Sequence, residues 1–161
     1  MSVDEIYARV RSVEAFAYHR QWISDSPEKY QPVTRQRIID NEADVKPADY
    51  AQARLELDLL RREIKKVFTT VDALVMPTLP SPPVLITEGS NPAAVSIRNT
   101  SPFDVLGLPA ITVPCGFTAS GLPIGLQIVG APFAESAVLA LASVYERETE
   151  WHKRHPELKP P

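Results

Sequence analysis

The sequence has almost no cysteine, no long apolar run and no recognisable export signal. Cys115 is the single cysteine of 161 residues, so an internal disulfide is excluded and we expect a small buried thiol. No segment approaches the roughly 20 apolar residues that crossing a bilayer requires. The first residues have neither the basic start nor the apolar stretch of a secretory signal. We therefore expect no membrane-spanning segment, and the cytoplasm is the expected location.

Positive charge is also scarce, because 17 lysines and arginines face 20 aspartates and glutamates, a net charge of -3. Nucleic-acid binding needs clustered cations. The densest basic pairs, Arg61–Arg62 and Lys65–Lys66, alternate with acids along a predicted helix, which is typical of a solvated face. The six glycines occur singly, so no phosphate-binding loop is present. We expect neither a nucleic-acid partner nor a cofactor.

Proline and glycine divide the chain into two parts. Three prolines and no glycine precede residue 76, whereas thirteen prolines and all six glycines follow it. The length suits one ordinary domain. We predict a single domain over residues 1–161, with a helical part at 1–70 and a sheet-containing part at 71–161.

Apolar residues in the first part recur every three or four positions, which predicts amphipathic helices. One helix is expected over residues 3–24, a shorter one over 29–41, and a long one beginning at Pro47, a residue favoured at the first helical position. The predicted buried stripe of the long helix consists of Tyr50, Ala53, Leu57, Leu60, Ile64, Val67 and Val71.

The second part begins with residues 71–76, a short apolar run that predicts a strand buried on both faces. The proline-rich residues 77–83 predict an extended connection, and residues 84–100 predict a long loop. A turn-like quartet separates residues 110–117 from 122–129, which predicts a β-hairpin. Residues 134–147 then predict a closing helix, whose expected buried face consists of Ala137, Val138, Leu141 and Tyr145. A helix followed by a buried strand indicates an α/β fold.

Residues with catalytic chemistry are sparse. No serine lies in a Gly-x-Ser-x-Gly turn, and Ser101, Ser120 and Ser136 each have a local structural explanation beside a proline, in a turn or near a helix start. His152 and His155 could share a helical face, but no further ligand completes a metal site. The residues alone predict neither a catalytic site nor a metal site.

Two stretches carry a family resemblance: residues 107–117, GLPAITVPCGF, and residues 121–130, GLPIGLQIVG. They resemble the C-terminal signature of the amidase-signature family, which includes bacterial amidases and the A-chain component of glutamyl-tRNA amidotransferase. Residues 72–78, DALVMPT, and 145–153 also match in order and spacing. The resemblance implies part of an α/β/α sandwich, with helices at the N-terminus, a mixed sheet that includes a β-hairpin, and a C-terminal helix.

In that family a lysine and two serines perform acyl transfer to water, and these residues belong to a glycine- and serine-rich portion that has no counterpart here. The resemblance therefore implies the C-terminal portion of an amide hydrolase that is inactive alone. It also implies that this chain supplies one wall of a cleft for a small amide substrate.

Two substrate-binding positions follow from the resemblance. Arg37 is similar to the arginine that contacts the substrate α-carboxylate in the amidotransferase members of the family, although a surface ion pair explains it equally well. Ile97 stands where those members usually have an aspartate that holds the substrate amino group. Because an apolar side chain cannot make that contact, we expect a general amidase of unassigned substrate.

Another class of protein stays open at this point. The chain could be a non-catalytic binding or scaffold module that pairs with a separate catalytic chain, including as a fragment of the amidotransferase component. In either case, part of a larger sheet should leave an open strand edge and an exposed apolar face. We therefore expect self-association or a partner chain.

Overall fold

A computed structural model describes residues 2–43, 45–83 and 97–156. The chain divides into two compact units, Met1–Arg62 and Glu63–Pro161, and each is described by itself. Within the described ranges, no helix combines the length and the apolar character that crossing a membrane would demand.

Helix α1, Val3–Asp25, opens the first unit. Ser2 caps it with a capping box, because its hydroxyl accepts the Glu5 N–H at 3.2 Å while the Glu5 carboxylate accepts the Ser2 N–H at 2.7 Å. The helix ends at Ser26, and Pro27–Lys29 forms a 3-10 turn. The predicted helix over residues 3–24 is confirmed.

Helix α2, Pro32–Ala43, and helix α3, Pro47–Val67, complete the helical part, and both were expected. Polar contacts join α1 to α3, since the Glu14 carboxylate accepts from Tyr50 and Arg54, each at 3.2 Å. The buried apolar residues of this unit are Ile6, Val10, Ala53 and Leu57.

The predicted stripe of α3 extends too far. Val67 and Val71 are 37% and 40% exposed, and the helix stops at Val67. The hydroxyls of Thr69 and Thr70 donate to the carbonyls of Lys66 and Val67 at 2.7 and 2.9 Å. Threonine side chains that take backbone carbonyls in this way compete with helix propagation, which explains the earlier end.

The second unit contains strand β1, Ala73–Pro77, helix α4, Ser101–Leu106, strands β2, Ala110–Phe117, and β3, Pro123–Gly130, and helix α5, Glu135–Glu148. The strand order is β1-β3-β2, and both pairings are antiparallel. The predicted hairpin is confirmed as β2 and β3. The α/β fold class is likewise confirmed, but the sheet of the described residues is antiparallel rather than mixed, because β3 separates the two strands that run in the same direction.

Strand β1 is not buried on both faces, since Val75 is 53% exposed. The reason is its place in the described sheet, where β1 pairs only with β3. The apolar run correctly predicted a strand but overestimated its burial.

Helix α5 packs on one face of the sheet. Val138 and Ala142 join Val113 and Ile128 in the core, and partly buried neighbours surround them: Ala73, Ile111, Leu126 and Tyr145. The predicted face of α5 is wrong at Ala137 and Leu141, which are exposed. Helical spacing alone placed the apolar stripe about one position away from the side that meets the sheet.

Two local features differ from expectation. Helix α4 was not predicted, and Gly107, with a left-handed φ of 71°, ends it by donating its N–H to the carbonyls of Phe103 and Asp104. Cys115 is only half-buried, because it lies where a β-bulge shifts the register between Pro114 and Gly116. Of the predicted loop 84–100, residues 84–96 lie outside the described residues.

Candidate functional site: the polar sheet face

The sheet face turned away from α5 carries a buried polar network. Gln127 is 2% exposed and follows the opposite side of β3 from Ile128, which packs on α5. Its Nε2 donates to the Asn99 carbonyl at 2.8 Å, and Asn99 Nδ2 donates to the Pro77 carbonyl at 2.9 Å. These two bonds anchor the 3-10 turn Ile97–Asn99 to the end of β1.

A pair of threonines extends this polar face toward the hairpin. Thr78 Oγ1 lies 3.1 Å from Thr112 Oγ1, and the Thr78 N–H donates to the Gly125 carbonyl at 2.9 Å. A Cβ at Gly125 would lie 2.7 Å from Thr112 Cγ2 and 2.8 Å from Thr78 Oγ1. The two hydroxyls can therefore meet across β3 only because position 125 has no side chain.

A small cleft of about 180 Å³ opens beside the end of β1. The proline-rich residues 79–83 form one side of it, and Thr118, Pro123, Ile124 and Gly125 form the other. Its lining is mostly apolar with a few hydroxyls, a composition found in small-molecule sites. The predicted extended connection thus lies against the hairpin.

The structure places each predicted substrate-binding residue separately. Arg37 is exposed on α2 and has no hydrogen bond or ion pair with the side chains that the structure describes. Its neighbour Arg35 instead donates to the Pro27 carbonyl at 3.2 Å. Ile97 is 48% exposed and begins the 3-10 turn that Asn99 anchors to the sheet. Arg37 belongs to the first unit and Ile97 to the second, so their roles stay predictions.

The described serines and histidines do not form a catalytic cluster. Ser101 Oγ is buried without a hydrogen-bond partner, Ser12 Oγ donates to the Ala8 carbonyl at 2.6 Å, and no serine hydroxyl among the described residues bonds to a lysine. Groups of three or more possible metal ligands are likewise absent from the described parts of the chain.

Shifted pKa values occur away from this face. Burial, with help from the Glu14 carboxylate, raises the pKa of Tyr50. A hydrogen bond from Lys153 lowers the pKa of Glu150. Both groups contact ordinary surface partners, so neither shift indicates a general acid or base.

Sequence reasoning missed Asn99, Gln127, Thr78 and Thr112. Gln127 left a usable signal, because it is the one hydrogen-bonding side chain in the otherwise apolar segment of β3. A lone amide in a buried strand requires a partner. The identity of that partner, a backbone carbonyl 28 residues earlier, had no local signal.

Comparisons with known proteins agree with this architecture. The model of the Amidase family matches residues 3–139. The chain is 44% identical over 116 residues to the A-chain component of the glutamyl-tRNA(Gln) amidotransferase of Synechococcus sp. (strain JA-2-3B'a(2-13)), a match that covers 71% of this chain and 22% of that protein. The same component from Thermodesulfovibrio yellowstonii is 42% identical over 112 residues, covering 68% and 23%. The chain thus spans less than a quarter of the length of these relatives.

Solved structures give the same assignment. A crystal structure of an amidase, 33% identical, superposes with a TM-score of 0.76 over 91% of this chain and 35% of that one. A 6-aminohexanoate cyclic dimer hydrolase, 22% identical, shares the fold with a TM-score of 0.75 over 98% of this chain and 37% of that one. The family match over most of the chain, supported by these folds, shows that the chain belongs to the amidase family.

Proposed function

We propose that the chain is the C-terminal portion of an amidase-signature hydrolase, an enzyme that breaks carboxylic C–N bonds, and that it forms one wall of the substrate cleft. The observation that carries this proposal is the family match over residues 3–139. The anchored turn Ile97–Asn99, the Thr78–Thr112 pair and the cleft beside residues 79–83 support the placement of that wall at the end of β1.

The proposal includes inactivity of this chain by itself. Amide hydrolysis needs an activated nucleophile and donors for the developing oxyanion. Among the described residues, lysine amino groups bond to glutamates rather than to serines, and Ser101 Oγ has no base beside it. The lysine and two serines of the family would have to come from a portion of the fold that these 161 residues do not supply.

The proposed substrate is a small amide rather than glutamine bound for transfer to tRNA. The relatives compared above are named as components of an amidotransferase, and a fragment of such a component is therefore the second candidate. Ile97 favours the first candidate, because its exposed apolar side chain offers no acceptor for a substrate ammonium group. Arg37, free of described partners, is available for an acidic group of the substrate in either case.

Partners and location belong to the same proposal. An incomplete sheet favours association with a chain that supplies the missing catalytic portion, or with a second copy. The cytoplasm is the proposed location, and one domain over residues 1–161 is the proposed organisation.

The test is hydrolysis of a panel of small aliphatic and aromatic amides by the purified chain. We expect ammonia release no faster than in buffer, and the same result for Ser101→Ala, which removes a buried hydroxyl that lacks a partner. Turnover by the wild-type chain that Ser101→Ala or another single substitution abolishes would overturn the proposed inactivity. Glutamine-dependent amidation of glutamyl-tRNA by an assembly containing this chain would instead favour the second candidate.

A further inference from the structure

A second, larger cleft lies between the hairpin and the 3-10 turn Trp151–Lys153, with a volume of about 600 Å³. We call it the aromatic cleft, and its key residues are Phe117, Trp151, His152, Arg154 and His155. Its size falls in the roughly 300–1,000 Å³ range of small-molecule sites. We propose that the aromatic cleft binds an aromatic carboxylate.

Two aromatic rings form its apolar wall. The centroids of Phe117 and Trp151 are 6.2 Å apart, with an angle of 53° between the ring planes. This separation is within the range in which aromatic rings interact favourably. The tilted pair offers ring surface to a flat, apolar part of a ligand.

Arg154 supplies the charge. Its guanidinium carbon lies 4.1 Å from the centroid of the Phe117 ring, so the ring holds the guanidinium by a cation–π contact. Such a contact uses the face of the guanidinium and leaves its in-plane N–H donors available. Within the described chain, Arg154 has no carboxylate or hydrogen-bond partner for its side chain.

The surroundings of Arg154 contain no competing anion at the cleft wall. None of the described residues lining the aromatic cleft is an aspartate or a glutamate. The nearby Glu150 is paired with Lys153, whose Nζ lies 2.7 Å from its Oε1. His152 and His155 add donors, and His152 Nδ1 is buried without a partner in the described chain.

These features together select the ligand class. A carboxylate matches the fork of guanidinium donors and can bond to it at two points, while an aromatic ring can pack on Phe117 and Trp151. An aliphatic carboxylate would use only the charge, and a neutral aromatic amide only the rings. The proposal concerns a site apart from the one proposed for amide hydrolysis, and its test requires no turnover.

The three histidines of the chain provide a built-in reporter. His152 and His155 line the aromatic cleft, whereas His19 lies in α1, with Nδ1 2.8 Å from the Tyr30 hydroxyl. Benzoate would be titrated into the protein while the imidazole carbon-bound protons are followed by NMR. We expect saturable shifts of His152 and His155 and none of His19.

Matched ligands and variants separate the contributions. Acetate and benzamide should each bind at least about tenfold more weakly than benzoate, since a charge-assisted hydrogen bond contributes on the order of a factor of ten. Arg154→Gln should weaken benzoate binding by a similar factor and Arg154→Lys by less, because lysine keeps the charge without the fork. Arg98→Gln, at an exposed residue outside the aromatic cleft, should leave binding unchanged.

Equal binding of benzoate and benzamide, equal effects of Arg154→Gln and Arg98→Gln, or the absence of shifts up to the solubility limit of benzoate would each overturn the proposal. Unfolding of Arg154→Gln would show in the spectrum of His19. In that case Phe117→Leu, which removes a ring but no charge, must still reduce the preference for benzoate over acetate, or the proposal fails.

Discussion

Single residues determine how closely the elements of the second unit approach. A Cβ at Gly130 would lie 2.5 Å from Val138 Cγ2, and only 3.5 Å from the next nearest atom, the Ala134 carbonyl oxygen. Gly130→Ala should therefore destabilise the protein by about 1–3 kcal/mol through overpacking. Val138→Ala also costs stability, but it removes the clashing methyl group. The double variant should lose less than the sum of the single losses in urea unfolding; additive losses would contradict this contact.

Gln127 is the residue on which the polar sheet face most depends. Gln127→Leu leaves the Asn99 carbonyl without its donor, so we expect a loss of about 1–3 kcal/mol and faster hydrogen exchange at the Thr100 and Phe103 amides. Arg98→Ala, at the exposed neighbour of Asn99, is the control and should change neither. If exchange in this segment is the same in Gln127→Leu as in the wild type, the bond does not anchor the turn.

At the scale of elements, the capping box of α1 makes a pH-dependent prediction. Hydrogen bonds from the Ser2 backbone and side chain hold the pKa of Glu5 below its ordinary value of 4.5. A carboxyl whose pKa is lowered by folding stabilises the folded state above its unfolded pKa, and this contribution is lost as the pH falls through the folded pKa. Helicity measured by circular dichroism should thus decline below about pH 4.5, less so in Glu5→Gln. Ser2→Ala should remove about 1 kcal/mol of stability at neutral pH, and an unchanged acid profile in both variants would contradict the box.

The same scale shows how far sequence reasoning reaches. Helices α1, α2, α3 and α5 and the hairpin follow from apolar spacing and turn residues, which are local signals. Burial was predicted less well, as Val75, Leu141 and Val71 show, because it depends on which neighbour covers each face. Helix α4 and the Gln127–Asn99 bond were missed because a six-residue helix has hardly any periodicity and a contact over 28 residues has no local pattern.

For the whole molecule, the open sheet predicts association. Val75 is 53% exposed on β1, and β1 pairs only with β3 among the described strands, which leaves a template for another strand. Light scattering should show a dimer or larger species, and Val75→Lys should shift it toward the monomer. Val33→Lys, at a 72% exposed residue of α2, is the matched control. A wild-type monomer at high concentration would show that the unit needs no partner.

The central claim is that this chain has the fold of an amidase portion but no serine activated for attack on a carbonyl. Reaction with a fluorophosphonate probe, followed by intact-protein mass spectrometry, tests it most directly, since such probes label activated serines regardless of the natural substrate. The account predicts an unchanged mass after prolonged incubation. A single stoichiometric adduct that maps to one serine, and that disappears when this serine is replaced by alanine, would contradict it.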